Sequence, residues 1–213
     1  MTSPTKRDVR HAARALRARL AAALDAEPGR REAAAEAIAA TVLGFVPDRA
    51  RVAAYVSLPD EPPTDRLVEA LLEAGHEVIV PVVLDDYSLE WTYAAPGAVG
   101  DRATVTRRPR DTHDGSEAGW LGLDALSTCD LVVTPGLSVD RHGTRLGQGG
   151  GCYDRALVHR DPAAPVITLL HEGESSEADL PRDDYDLPVD GWVTTTGRLV
   201  RVTPRVTAPG SSG

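Results

Sequence analysis

The residues best suited to chemistry lie in one run, "GTRLGQGGGCYDRAL", residues 143–157. Glycine loses more conformational freedom on folding than any other residue, so a dense cluster of it needs a reason. Glycines let a backbone approach a ligand closely, and successive amide N–H groups at a helix start present positive potential to an anion. Arg145, inside the run, adds a forked donor suited to phosphate. The familiar phosphate motifs are nevertheless absent. A dinucleotide fingerprint built on Gly147 and Gly149 needs a third glycine where Cys152 stands, and there is no Gly-Lys-Ser/Thr of a P-loop. On glycine content alone the run reads equally as a surface turn or an anion cradle.

A second basic feature stands at the N-terminus. Residues 5–24, "TKRDVRHAARALRARLAAAL", form an amphipathic helix with an apolar stripe of Val9, Ala13, Leu16 and Leu20. At about 100° per residue, Lys6, Arg10, Arg14 and Arg17 fall in one narrow arc beside that stripe. Of the 23 Lys and Arg residues in the chain, only Lys6 is lysine. The arc is either a solvated basic face or an anion-binding one.

The elements that must position these residues alternate. A second helix is expected over 28–45, a buried strand over 51–57, a helix over 65–75 with Thr64 or Asp65 as N-cap, and a strand over 77–83. Strand, helix, strand over 51–83 is a right-handed crossover with a parallel pair. An edge strand is expected over 88–94 and a surface excursion over 95–119. Further strands follow at 130–135, 164–171 and 191–196, with a helix from about Tyr153. The fold class is therefore α/β: a single three-layer αβα domain over residues 1–200, Rossmann-like, with a mostly parallel, mixed sheet and a disordered tail over 201–213. In such sheets ligands bind beyond the carboxyl ends of the strands, which is where the glycine run sits.

The bulk properties narrow the partners. A net charge of −9 argues against nucleic acid, whose binding needs a broad basic surface. No apolar run approaches the ~18 residues of a membrane span, and the basic start lacks a secretory apolar core. Two cysteines without metal-ligand spacing, Cys129 and Cys152, fit free thiols in a reducing cytoplasm. The expected partners are small molecules and the expected state a monomer.

With its neighbours, the run becomes specific. "LVVTPGLSVDRHGTRLGQGGGCYDRAL" resembles the signature of the 5-formyltetrahydrofolate cyclo-ligase family, roughly Pro-Gly, Asp, then Gly-x-Arg-Leu-Gly-x-Gly-x-Gly-Tyr-Tyr-Asp. Lys6 and Arg10 match a Lys-x-x-x-Arg on the family's first helix. Tyr55, Glu61, Thr64 and "VPVV" match its first crossover, and "LPRDDYDLPVDGWVTT" its last strand. The resemblance spans about residues 5–196. It implies an ATP- and Mg2+-dependent conversion of 5-formyltetrahydrofolate to 5,10-methenyltetrahydrofolate, with ADP and phosphate released. The formyl oxygen attacks the γ-phosphate, and N10 then closes the ring. It also implies roles. Lys6, Arg10 and Arg145 would contact ATP phosphates, with Leu146, Gly147, Gln148, Gly149, Gly150, Gly151, Cys152 and Tyr153 shaping the nucleotide loop. Arg145 and Tyr153 would face the reacting groups. Val56, Glu61 and Tyr153 would bind the folate, and Asp154 and Asp186 the Mg2+, Asp186 being chosen among Asp183, Asp184, Asp186 and Asp190.

The chain departs from the family pattern at two places. Cys152 replaces the first tyrosine of the Tyr-Tyr pair, and residues 95–119 offer "TRRPRD" rather than a Gly-Ile-x-Glu-Pro segment. The arginines there, Arg107, Arg108 and Arg110, form a solvated loop or a site for a folate glutamate tail. The departures leave two other readings: a paralogue that binds nucleotide and folate without this catalysis, and a different enzyme on a related α/β scaffold.

Overall fold

A computed structural model describes residues 5–94, 120–183 and 185–202. The excursion over 95–119 with its three arginines, Asp184, and the tail from residue 203 lie outside the described residues.

Three long helices come first and between the first strands: α1 Lys6–Asp25, α2 Arg30–Leu43 and α3 Asp65–Glu73. Thr5 starts α1 with a reciprocal capping box. Its hydroxyl accepts from the Asp8 N–H, and the Asp8 carboxylate accepts from the Thr5 N–H. Thr64 precedes α3 but does not cap it. Its hydroxyl accepts instead from the Ser57 N–H at 3.0 Å, which ties the loop after the first strand shut.

The strands are β1 Arg51–Ala53, β2 Glu77–Val83, β3 Leu89–Tyr93, β4 Leu131–Pro135, β5 Ser138–Val139, β6 Arg145–Leu146, β7 Val166–Leu170, β8 Gly191–Thr194 and β9 Leu199–Arg201. A short helix, α4 Cys152–Ala156, follows β6. Seven strands form one sheet in the order β3-β2-β1-β4-β7-β8-β9, and β5 pairs with β6 in a separate hairpin. The inner pairs are parallel, while β3 and β9 close the two edges antiparallel. This is the expected α/β class.

Alternation along the strands fills two apolar layers. Val52, Val78, Leu131, Val133, Ile167 and Leu169 pack under α2 and α3. Ala53, Ile79, Val132, Val166 and Leu170 pack on the other face with Tyr153, Ala156 and Leu157. A third, smaller cluster of Leu137, Leu146 and Leu180 receives Val9 and Ala13 from α1. That cluster seats the basic helix on the β5–β6 hairpin that leads into the glycine loop.

Three expectations shift. The strand expected over 51–57 leaves the ladder after Ala53, so Tyr55 and Val56 sit beyond the sheet's carboxyl edge rather than inside it. The last strand turns at Gly197 and returns as β9, so the sheet continues past the expected end of the final strand at 196 and takes in Arg201, the first residue of the expected tail. The β5–β6 hairpin lies within what the sequence offered as loop. No helix among the described residues is long and apolar enough to cross a membrane.

Candidate active site

Strand order reverses at β1: β2 lies on one side of it and β4 on the other. A crevice opens at such a switch point, beyond the carboxyl ends of the strands. Here it is a cleft of about 230 Å³. Its walls come from the chain after β1 (Tyr55, Val56, Glu61), after β4 (Pro135, Gly136), from β2, and from Arg145 with residues 147–154.

The phosphate-type groups gather around the glycine loop. Arg145 is 6% exposed, and its guanidinium donates to Asp154 Oδ1 at 2.6 Å and to the Pro135 carbonyl at 3.2 Å. The guanidinium carbon lies 5.7 Å from the centre of the Tyr153 ring. Glycine makes room for it, since a Cβ on Gly147 would come within 3.1 Å of its Nη1. Arg10 donates through Nε to the Gly147 carbonyl at 3.2 Å, and Arg14 donates through Nε to the Gln148 side-chain oxygen at 3.0 Å. The basic arc of α1 therefore lies along the glycine loop, as an anion-binding face requires. Gly149, at φ +107°, holds a backbone conformation open to glycine and strained for other residues.

Lys6 sits one turn before Arg10, about 6 Å along the helix axis. Its ammonium donates to Asp183 at 2.7 Å and Asp186 at 2.5 Å. Burial pulls the lysine's pKa down, but the two carboxylates outweigh that and raise it. Lys6 and Asp186 thus form their own ion-pair cluster and are not among the cleft's lining residues. Among the other sequence candidates, Val56, Glu61, Gln148, Gly150, Gly151, Cys152, Tyr153 and Asp154 do line it. Leu146 does not. Its side chain is buried with Leu137 and Leu180, and its contribution to the loop is its backbone.

The cleft also holds a buried carboxylate. Glu61 is 3% exposed and accepts from the Leu58 N–H at 2.9 Å. Burial pushes its pKa up, against the opposing pull of that amide and of Arg17. Val56, Pro81, Val83 and Leu89 add apolar lining to the cleft.

Three supporting residues take roles that sequence reasoning did not assign. Arg17, placed on the basic arc, is fully buried. It holds Glu174 through two bonds of 2.8 and 2.7 Å, and it also donates to the Gly136 carbonyl. Glu174 accepts from the His171 N–H at 2.8 Å, and His171 Nε2 donates to the Asp60 carbonyl at 2.9 Å, next to Glu61. The i, i+4 spacing of the arc was the only signal, and it did not name a partner 157 residues away. Tyr87, at φ +64°, lies against Gly150, and its carbonyl accepts from Arg155 at 2.7 Å.

Asp140 is the third. One carboxylate oxygen accepts from the His142 and Thr144 N–H groups at 2.8 and 2.9 Å, the other from Leu180 N–H at 2.9 Å. It thereby fixes the turn before Arg145 and the start of the acidic loop. Burial raises its pKa, but the amides of Leu180, Thr144 and His142 outweigh that and hold it below the ordinary carboxylate range. A depressed folded-state value means the contribution is complete above the unfolded value, about 4, and drains away as pH falls through the lower folded one. Asp140→Asn leaves the Leu180 N–H facing an amide NH2. It should cost about 1–3 kcal/mol at neutral pH, and thermal melts should show the gap to wild type closing below pH 4.

The sequence matches the model of the 5-formyltetrahydrofolate cyclo-ligase family over residues 2–195. A 5-formyltetrahydrofolate cyclo-ligase of Mycolicibacterium smegmatis is 32% identical over 175 residues, covering 80% of this chain and 86% of that protein. The Escherichia coli K12 protein of the same name is 30% identical over 67% of this chain and 76% of its own. The fold is shared with a 5,10-methenyltetrahydrofolate synthetase of Aquifex aeolicus, at TM-score 0.65 and 23% identity over 94% of this chain and 97% of that one. It is shared also with one of Mycoplasma pneumoniae, at TM-score 0.61 and 18% identity over 87% and 99%. A glycine loop gripped by arginines at a sheet's switch point, in a chain matched to this family almost end to end, leads to one conclusion: the chain is an enzyme of the 5-formyltetrahydrofolate cyclo-ligase family.

Proposed function

We propose that this chain converts 5-formyltetrahydrofolate and ATP to 5,10-methenyltetrahydrofolate, ADP and phosphate. The observation that carries the reading is that one cleft brings together two kinds of group. Arg10, Arg145 and the loop 147–151 line it, and so does the buried carboxylate Glu61 among apolar residues. A triphosphate fits the first kind. A flat pterin with adjacent N–H donors fits the second.

The loop amides and Arg145 would hold the γ-phosphate against the formyl oxygen. That oxygen attacks phosphorus and ADP departs. N10 then attacks the formyl carbon and gives up its proton, the ring closes, and phosphate leaves with the former formyl oxygen and that proton. The protein's part is positioning and neutralising charge, which can supply most of the catalysis in phosphoryl transfer. By the resemblance Asp154 and Asp186 would hold Mg2+, Asp154 from the cleft wall and Asp186 from the Lys6 cluster outside its lining. Two carboxylates suit an ion whose remaining ligands are phosphate and water, and the ion would supply charge neutralisation there. Both carboxylates are held by cations, Arg145 and Lys6. Incoming phosphate competes for those cations and frees the carboxylates.

The test is an absorbance assay for the conjugated methenyl product, with purified protein, 5-formyltetrahydrofolate, ATP and Mg2+. Turnover is expected, and Lys6→Ala should raise KM for ATP about tenfold or more while leaving KM for the folate near wild type. ATP binding without product would overturn the catalytic reading in favour of a binding paralogue.

A further inference from the structure

Among the described residues, three buried polar atoms without a hydrogen-bond partner belong to side chains that line the cleft: Arg145 Nε, the Tyr153 hydroxyl and the Tyr55 hydroxyl. The other such atoms, on Arg51, Glu90, Trp91, Arg160 and Trp192, belong to residues outside its lining. Buried polar groups are nearly always paired, so a concentration of unpaired ones in a single cleft marks where a ligand supplies the partners. Arg145 and Tyr153 lie together, and Tyr153 also feels the Glu61 charge. Tyr55 is different. It is 3% exposed, stands just beyond β1, and precedes Glu61 by six residues of the same loop.

Burial and the nearby Glu61 charge both push the Tyr55 pKa up, so the phenol keeps its proton. A neutral phenol is a donor, and Glu61 is an acceptor. A donor and an acceptor side by side complement a ring edge that carries a carbonyl next to N–H groups. We propose that Tyr55 is a specificity-determining residue whose hydroxyl donates to the C4 carbonyl oxygen of the pterin, beside the N–H groups that Glu61 accepts. The assignment rests on the pterin reading given under Proposed function.

Calorimetric titration of wild type, Tyr55→Phe and Glu61→Gln tests it with two ligands, 5-formyltetrahydrofolate and its 4-deoxy analogue, which carries hydrogen in place of the C4 oxygen. Tyr55→Phe should weaken binding of 5-formyltetrahydrofolate roughly tenfold. It should leave the affinity for ATP unchanged and bind the 4-deoxy analogue as wild type does. Its melting temperature should hold or rise, since the lost hydroxyl has no described protein partner. Equal weakening for both folates, or a loss of thermal stability with folate affinity intact, would make Tyr55 a structural residue and overturn the assignment. If wild type binds the folate, Glu61→Gln loses it and Tyr55→Phe keeps it in full, only the Tyr55 assignment fails. If wild type binds neither folate, the pterin reading fails and takes this one with it.

Discussion

Replacing Arg145 with lysine should lower kcat/KM for ATP about a hundredfold although the charge is kept, and replacing it with alanine about a thousandfold. The difference from an ordinary conservative exchange lies in the fork. Arg145 reaches Asp154 with one nitrogen and the Pro135 carbonyl with another, and its third nitrogen is buried with no partner among the described residues. A lysine ammonium is a single point donor on a flexible stem, so it can serve Asp154 or a phosphate oxygen but cannot span both. The loop is seated against the fork itself: a Cβ on Gly147 would come within 3.1 Å of Nη1. Steady-state kinetics with ATP and folate varied separately checks this, with a thermal melt to show that Arg145→Lys is folded. Wild-type kcat/KM in a folded Arg145→Lys would remove Arg145 from the phosphate site.

The glycine loop was legible because its chemistry is local. The glycines, Arg145, Tyr153 and Asp154 are contiguous, and strand-loop-helix geometry carries them to one place. The parallel pairing of β1 with β2 followed from the strand-helix-strand alternation over 51–83 for the same reason. The parts that were not legible depend on distant partners. The helical wheel sets Arg17 on the basic arc and Arg19 off it, but nothing in "RALRARL" shows that Arg17 is buried against Glu174 while Arg19 faces solvent. The β5–β6 hairpin has two residues per strand, too short for a period to show. β9 had a signal, Gly197 at φ +77° followed by Leu199 and Val200, but three residues after a strand also read as the beginning of a tail. Lys6 and Asp186 were both picked from sequence. That they pair with each other, across 180 positions, emerged only from the fold.

Glu61→Gln should lower kcat/KM for the folate about a hundredfold while changing KM for ATP little. A carboxylate accepts two hydrogen bonds from adjacent N–H groups. Glutamine accepts one and turns its own NH2 against the second donor, so a bond is lost and an unpaired buried group is left in its place. The surroundings make the loss large. Glu61 is 3% exposed, and water has little access to repair the mismatch. The same burial gives the substitution a second signature. Desolvation raises the Glu61 pKa, outweighing the Leu58 amide and the Arg17 charge that lower it. Binding needs the charged form, so in the free enzyme kcat/KM for the folate should fall on the acid side with an apparent pKa above the ordinary glutamate value of about 4.3. Glutamine does not titrate. The acid limb set by Glu61 should therefore vanish from the Glu61→Gln profile, leaving a lower and flatter curve. A profile that keeps its wild-type acid limb, or a loss shared equally by ATP and folate, would take Glu61 out of the pterin pocket.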